Sequence, residues 1–151
     1  MIKTLENNEK LHILSKNYIG YLAYNYKSNP YVLPITYFYN EEQNNIICYS
    51  AEGHKIEALR KNNNIAMCVT DIESINNWKS IMVNGTYKEH TGSEAIALLH
   101  QFSLGIKDLI IRNEKRSLDF INQFSSKIDF NNIPIIYTIE IKTVTGRKRK
   151  L

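Results

Sequence analysis

Apolar and polar residues alternate with a period of two along much of the first half of the chain, a pattern typical of β-strands. Residues 18–26 and 31–39 carry such runs, and the Lys-Ser-Asn-Pro segment at 27–30 has turn chemistry. We therefore predict an antiparallel hairpin. Residues 40–44 predict a second turn, and residues 45–50 predict a third strand.

Two segments have helical spacing instead. Thr4 can cap a short helix that carries Leu5, Leu11 and Leu14 and ends at residues 17–18. Residues 53–61 predict an amphipathic helix, because Ile56 and Leu59 fall on one face and charged side chains on the other. Three asparagines at 62–64 end this second helix.

The second half of the chain predicts a strand at 65–71, an extended stretch at 78–90 and a last strand at 135–143. Asn84-Gly85 alone would signal a hairpin within 78–90. We prefer one long strand with Gly85 at a bulge or a close approach, because the two arms would have only about four residues each. Thr91 and Glu94 have capping-box spacing for a helix through Gln101, with two or three short helical pieces over 104–127.

This order of elements predicts a single α+β domain, mainly β and antiparallel, over residues 1–151. Residues 31–39 are aromatic or aliphatic on both faces, which favours a closed barrel packed on a partner. No signal peptide and no apolar run of about 20 residues is present, so we expect a location away from the membrane. Cys48 and Cys68 match no metal or redox spacing, and they favour a reducing, cytoplasmic compartment with no metal site.

The net charge of +4 and the pI near 9.0 come from the end of the chain, where residues 147–150 contribute four positive charges. A solubilising basic tail at 147–151 is the preferred interpretation, and a nucleic-acid-binding arm is the alternative. No basic stripe with interleaved aromatic residues accompanies it elsewhere, so we do not expect nucleic acid as a partner.

Residues 49–62 carry the first candidate chemistry, because a strand ends there in small residues and a helix begins. Backbone N–H groups at a helix start favour an anion, and Gly53 permits close approach. Ser50 and Lys55 add a hydroxyl and an ammonium. Spacing alone is a weak signal for a phosphate site, since many proteins without ligands share it.

Five segments in order resemble the pyridoxamine 5'-phosphate oxidase-like flavoproteins, particularly the nitroimidazole-resistance-type branch. They are Ile19-Gly20-Tyr21-Leu22-Ala23, Leu33-Pro34-Ile35-Thr36-Tyr37-Phe38, Ser50-Ala51-Glu52-Gly53-His54-Lys55 with Ala58-Leu59-Arg60, Trp78-Lys79-Ser80-Ile81 ahead of Val83-Asn84-Gly85, and Val144-Thr145-Gly146-Arg147. The resemblance implies a six-stranded split β-barrel with peripheral helices. It also implies a homodimer with one flavin at each interface, FMN being expected and FAD the alternative.

The resemblance also assigns residues. Leu33, Pro34, Ile35 and Thr36 would lie along the isoalloxazine, while Tyr49, Ser50, His54 and Lys55 would hold the ribityl chain and phosphate. Trp78 and Ser80 would close the site, from the same or the other protomer, and Arg147 is a further contact. His54 is the candidate catalytic residue, with an exposed histidine in a first helical turn as the alternative. Trp78 could equally anchor a core or a dimer interface.

The implied activity is an oxidoreductase that passes electrons from NAD(P)H to a small acceptor such as a nitroaromatic compound. The alternative is a non-catalytic flavin-binding or flavin-storage dimer. A set of basic groups for a second phosphate cannot be placed from the sequence, which argues against oxidation of pyridoxamine phosphate itself. The segment at 104–127 would help to shape the substrate pocket.

Overall fold

The computed structural model describes residues 1–114 and 134–151, and in that part of the chain a strongly curved antiparallel sheet carries three helices. The elements are β1 (Ile2–Thr4), α1 (Asn7–Lys16), β2 (Ile19–Tyr26), β3 (Asn29–Thr36), β4 (Phe38–Asn40), β5 (Asn45–Ser50), α2 (His54–Lys61), β6 (Asn64–Ser74), β7 (Asn77–His90), α3 (Gly92–Glu114) and β8 (Ile135–Lys150). The strand order is β3-β2-β6-β7-β8-β5-β4, and β1 pairs with β8. The α+β antiparallel class is confirmed, although eight strands replace the expected six because β1 and β4 are additional short strands.

The two ends of the sheet meet, which gives it the shape of a barrel. Strands β3 and β4 lie at opposite ends of the strand order, yet Tyr37 alone separates them along the chain. The sheet must therefore curl until its first and last strands are adjacent. Tyr37 is fully buried at this junction, and its hydroxyl donates a hydrogen bond of 2.8 Å to the Leu14 carbonyl. The junction thereby ties α1 to the barrel.

The hairpin of β2 and β3 is tighter than the sequence predicts. Its loop consists of Lys27 and Ser28, whose φ angles of 48° and 66° are those of a type I′ turn. Asn29 and Pro30 already belong to β3, where proline is tolerated because β3 is a terminal strand of the sheet. The predicted strand over 31–39 is two strands, because the chain passes from β3 to β4 at Tyr37.

Strand β7 is one long strand, so the preferred interpretation of Asn84-Gly85 is confirmed. The register with β8 shifts between Asn84 and Gly85, which marks a bulge. A side chain at Gly85 would collide with the carbonyl oxygen of Glu140. Glycine is therefore required here by the close approach of the two backbones.

Strand β8 is much longer than predicted and includes the basic end of the chain. Arg147, Lys148 and Arg149 pair with Ser80, Lys79 and Trp78 of β7 on one side and with β1 on the other. The expectation of a basic tail at 147–151 is wrong through Lys150, because these residues are strand rather than an extension beyond the fold. Alternation along the strand then decides where each charge points.

The helices correct two further expectations. Helix α1 begins at Asn7 after an N-cap at Glu6, and Thr4 cannot cap it because Thr4 lies in β1. Helix α2 matches the prediction, with Ile56 and Leu59 fully buried. Helix α3 continues through Gln101 to Glu114 without interruption, so separate pieces are wrong up to that residue. The rest of the predicted helical segment, 115–127, lies outside the described residues.

The packed interior has two parts. The larger fills the barrel and includes Leu22, Met67 and Val83, and the smaller lies beneath α3 and includes Ile47 and Phe102. Among the described residues, no helix combines the length and the apolar character needed to cross a membrane.

Candidate functional site

One face of the sheet is exposed and apolar, and several predicted site residues lie on it. Directly paired residues across an antiparallel sheet point to the same side. One such row is Pro34, Tyr21, Cys68, Met82 and Thr145, across β3, β2, β6, β7 and β8. Tyr21 is 48% exposed and Met82 46% exposed. We call this surface, with the neighbouring Val32 and Ile19, the outer sheet face.

Strand β3 presents its four predicted residues in two directions. Pro34 is exposed and Thr36 half-buried on the outer sheet face, whereas Ile35 is buried in the barrel interior and Leu33 packs against it. Among the described strands, β3 pairs only with β2. Its other edge therefore carries backbone N–H and C=O groups that are available to a ligand or another chain.

His54 opens α2 and lies in a group of tyrosines from the β2–β3 hairpin. Its Nδ1 is 3.2 Å from the Tyr24 hydroxyl, and its ring meets those of Tyr26 and Tyr31 edge to face at 4.5 and 4.8 Å. Tyr24 and Tyr31 stack at 5.5 Å. His54 is exposed, as the alternative interpretation expected, but its ring is positioned by these contacts.

Lys55 follows His54 and is half-buried in the first turn of α2. Burial lowers the pKa of its ammonium, while the nearby Cys48 opposes that shift. Apart from its chain neighbours, no described residue has an atom within 4 Å of the position that a side chain at Gly53 would occupy. The start of α2 therefore offers an open approach and a partly desolvated cation, which is the arrangement that a phosphate group needs.

Tyr49 and Ser50 end β5 beside α2, but they do not both face the same space. Tyr49 packs edge to face on Phe102 of α3 at 5.2 Å, and burial raises the pKa of its hydroxyl. The Ser50 hydroxyl donates to the Ala51 carbonyl at 2.9 Å. Tyr49 thus packs against α3, while Ser50 is half-buried next to the start of α2.

Trp78 and Ser80 lie at the opposite end of the barrel, near α1. Ser80 pairs with Arg147, and Trp78 pairs with Arg149. Ser80 and Arg147 line a cleft of about 620 Å³ together with Thr4, Lys10, Cys68 and Thr145. We call this the cationic cleft, since Lys10 and Arg147 are the charged residues among its lining.

The structure therefore divides the predicted site into two groups. The α2 end holds Tyr49, Ser50, His54 and Lys55, and the α1 end holds Trp78, Ser80 and Arg147. Ser80 is four residues from Asn84 on β7, or about 13 Å. Across the sheet, Asn84 of β7 lies level with Ala23 of β2. His54 contacts a part of the β2–β3 hairpin that lies farther from Ser80 than Ala23 does. A single chain does not bring the two groups together.

Sequence reasoning missed several residues around both groups. No role in the site is assigned from the sequence to the tyrosines at 24, 26 and 31, nor to Lys10, Thr4, Cys68 and Thr145. Period-two alternation at the chain end would have placed Thr145, Arg147 and Arg149 on one face, if the segment had been recognised as strand. Lys10 had no such signal, because its position depends on how α1 docks.

Solved structures with this fold are found at low sequence identity. A FAD-binding protein from Mesorhizobium loti superposes with a TM-score of 0.74 at 24% identity, over 99% of each chain. A candidate 5-nitroimidazole antibiotic resistance protein from Bacteroides thetaiotaomicron gives 0.65 at 19% identity, over 98% of this chain and 89% of that one. The FAD-binding protein of Mycobacterium smegmatis gives 0.65 at 16% identity, over 97% and 98%. These similarities establish the split-barrel fold.

Sequence comparison extends from the fold to the family. An uncharacterized protein of Rhizobium meliloti (strain 1021) is 28% identical over 88 residues, which is 58% of this chain and 57% of that protein. The chain thus matches little more than half the length of this curated relative. The model of the pyridoxamine 5'-phosphate oxidase family matches residues 6–148, nearly the whole chain. The family expected from the five sequence segments is confirmed, and the chain belongs to the pyridoxamine 5'-phosphate oxidase family.

Proposed function

We propose that this protein is a flavin-dependent oxidoreductase that works as a homodimer, with a flavin held between the outer sheet face of one protomer and that of its partner. The observation that carries the proposal is the division of the site. The α2 end and the α1 end each hold part of the predicted site, and the α1 end lies on the outer sheet face. A second copy packed on that face in opposite orientation would place the α2 end of one protomer beside the α1 end of the other.

The exposed side chains support a second copy as the occupant of this face. Ile19 is 51% exposed and Val32 66% exposed, beside Tyr21 and Met82. A contiguous apolar patch of this kind is costly to leave in water. Homodimers commonly pair identical patches about a two-fold axis, and such an axis would join the two halves of the site.

The residues at the α2 end fit the phosphate of a flavin nucleotide. Lys55 would pair with the phosphate, and the first N–H groups of α2 would donate to it beside Gly53. The isoalloxazine would lie along β3, whose free backbone edge can hydrogen-bond the polar edge of the ring near Pro34. FMN is the proposed cofactor and FAD the alternative, and the FAD-binding proteins of similar fold support a flavin of either kind.

When bound, a flavin would supply the redox chemistry, which is two-electron transfer from NADH or NADPH to a small acceptor. The protein's own part is to bind and orient the ring and to limit water at the interface. His54, held by Tyr24 and the hairpin rings, is the residue that would contact the acceptor or the ribityl chain. The proposal places the protein in the cytoplasm, where free thiols such as Cys48 and Cys68 persist.

The decisive experiment is a visible spectrum of the purified protein, followed by mass identification of the released compound and anaerobic addition of NADH or NADPH. We expect oxidised-flavin bands near ~370 and ~450 nm, since the cofactor carries the chromophore. Bleaching by a reduced nicotinamide and recovery on adding a nitroaromatic acceptor would support the enzyme. Bound flavin that no nicotinamide reduces would favour the storage module. A colourless protein that binds neither FMN nor FAD would contradict both.

A further inference from the structure

We propose that the cationic cleft is a second anion-binding site, which takes a phosphate or carboxylate group at the α1 end of the outer sheet face. It does not include Lys55, and although the family resemblance names Ser80 and Arg147 as flavin contacts, it gives no role to Lys10 or to a second anion. The inference deepens the proposed function, since it states the charge of a ligand group in that same site. The titration that tests it needs no flavin.

The cleft is lined by positively charged and hydroxyl side chains that can bind an anion. Arg147 reaches it from β8 and Lys10 from α1, so the two cations come from different elements. Thr4, Ser80 and Thr145 contribute hydroxyl groups, and none of the described residues that line the cleft is acidic. Two cations and three hydroxyls around a space of about 620 Å³ provide charge-assisted and neutral hydrogen bonds to an oxyanion.

The cations of the cleft differ from the other cations at this end of the barrel. Lys148 and Lys79 both bind the Glu9 carboxylate, at 3.0 and 3.6 Å. Lys16 pairs with Asp71 at 2.6 Å. Among the described residues, by contrast, Arg147 makes no ion pair, and the Lys10 ammonium donates only to the Val144 carbonyl, at 3.1 Å.

Alternation along β8 explains this difference. Lys148 points to the side of the strand that α1 and Glu9 cover, whereas Arg147 and Arg149 point to the outer sheet face. In residues 1–114 and 134–151, only the first side pairs its cations of β7 and β8 with a carboxylate, that of Glu9. The outer side therefore holds a surplus of positive charge that nothing in the described part of the protomer neutralises.

Arg149 gives an independent indication of unused hydrogen-bonding capacity. Its Nε is buried, yet it has no hydrogen-bond partner among the described residues. A buried donor without an acceptor costs free energy, and native structures rarely leave one in that condition. Arg149 lies two residues beyond Arg147 on the same face and pairs with Trp78. This end of the sheet thus holds a guanidinium donor that no described residue uses.

Two sources could bring the anion. One is a flavin that carries a second phosphate, as FAD does, and the other is a separate small molecule, the electron acceptor or another substrate. Both offer oxyanions, which is the chemistry that the cleft recognises. A carboxylate of the partner protomer is the competing explanation, and it would make these cations an interface contact.

The experiment titrates flavin-free protein with inorganic phosphate, following heat release by calorimetry and fluorescence of Trp78. Trp78 is the only tryptophan and pairs with Arg149, so its emission reports events at this end. We expect saturable binding, weakened about tenfold or more in Arg147→Gln and further when Lys10→Gln is added, because each change removes a charge-assisted hydrogen bond. Lys142→Gln, which removes an exposed charge elsewhere on β8, should leave it unchanged.

The two flavins then distinguish the sources. If Arg147→Gln weakens FAD binding at least fivefold more than FMN binding, the anion is the second phosphate of the dinucleotide. If both flavins bind Arg147→Gln as they bind the unchanged protein while phosphate affinity falls, the anion belongs to a separate molecule. Either result supports the proposal.

Two results would overturn it. One is the absence of heat and of any fluorescence change up to about 10 mM phosphate in the unchanged protein. The other is unaltered phosphate affinity in Arg147→Gln together with a weaker dimer by analytical ultracentrifugation, which would assign the arginine to a partner carboxylate. The proposed function fails separately, if the unchanged protein binds no flavin or does not oxidise a reduced nicotinamide. Neither of those results changes the outcome of the phosphate titration.

Discussion

The positively charged side chains at the two ends of the barrel differ in their ion pairs. At the α2 end, Arg60 is held by two carboxylates, those of Glu52 and Glu89, at 2.8 Å each. Lys55 is then the cation next to the open start of the helix. At the α1 end, the described residues offer Arg147 in the cleft no ion pair and leave the Nε of Arg149 without an acceptor. The α2 end is built to place one charge at one point, whereas the α1 end spreads several donors over a wider space.

Lys55→Met should have the largest effect, because it removes the cation that this comparison places against the flavin phosphate while keeping most of the side chain. We expect flavin affinity to fall by about tenfold to a hundredfold, the loss of one hydrogen bond to a charged group. Fluorescence titration of flavin-free protein with FMN measures it. Lys61→Met in the last turn of α2 is the matched control, since Lys61 is exposed and pairs with Glu57. Equal FMN affinities in the two variants would show that the flavin phosphate does not bind at the α2 end.

Trp78→Ala should weaken flavin binding by about tenfold and also weaken the dimer, because an aromatic side chain on the outer sheet face would serve both. Analytical ultracentrifugation and FMN titration measure the two effects. Ile75→Ala is the control, since Ile75 lies in the loop between β6 and β7 and is 82% exposed. An effect on flavin affinity with no effect on the dimer would place Trp78 in the site but outside the interface.

Mixed dimers sharpen this test. If Lys55 and Trp78 of one site come from different protomers, a dimer of one Lys55→Met chain and one Trp78→Ala chain has one site with both defects and one site with neither. Half of its sites should then bind FMN with unchanged affinity. If both residues of a site came from the same protomer, every site would be damaged, and no site in the mixture would regain full affinity.

The limits of sequence reasoning follow the same division. The start of α2 depends on local signals, a glycine followed by an amphipathic run, and it was found where predicted. The α1 end depends on pairing between distant segments. Nothing local marks residues 147–150 as strand, because four consecutive basic residues are equally typical of a tail, and the pairing with β7 and β1 decides the matter. Thr4 likewise has the side chain of a helix cap, yet its pairing with Arg147 makes it strand.

The smallest effect expected is the pH dependence of FMN binding. Burial lowers the pKa of Lys55 below its ordinary value of 10.5. The ammonium, which pairs with phosphate, is therefore lost as pH rises through this lowered pKa, and affinity should begin to fall at a lower pH than for an ordinary lysine. Cys48 will not compensate, because burial raises the pKa of its thiol to about 12.

We expect FMN affinity to decline as pH rises through the lowered pKa of Lys55, with a slope of no more than one proton. Riboflavin, which lacks the phosphate, should bind with no such decline, and Lys55→Met should give a flat profile for both ligands. A decline that persisted in Lys55→Met would assign the proton to another group, and the unusual environment of Lys55 would then have no part in binding. A flat profile in the unchanged protein, together with unchanged affinity in Lys55→Met, would mean that the backbone at the start of α2 holds the phosphate without Lys55.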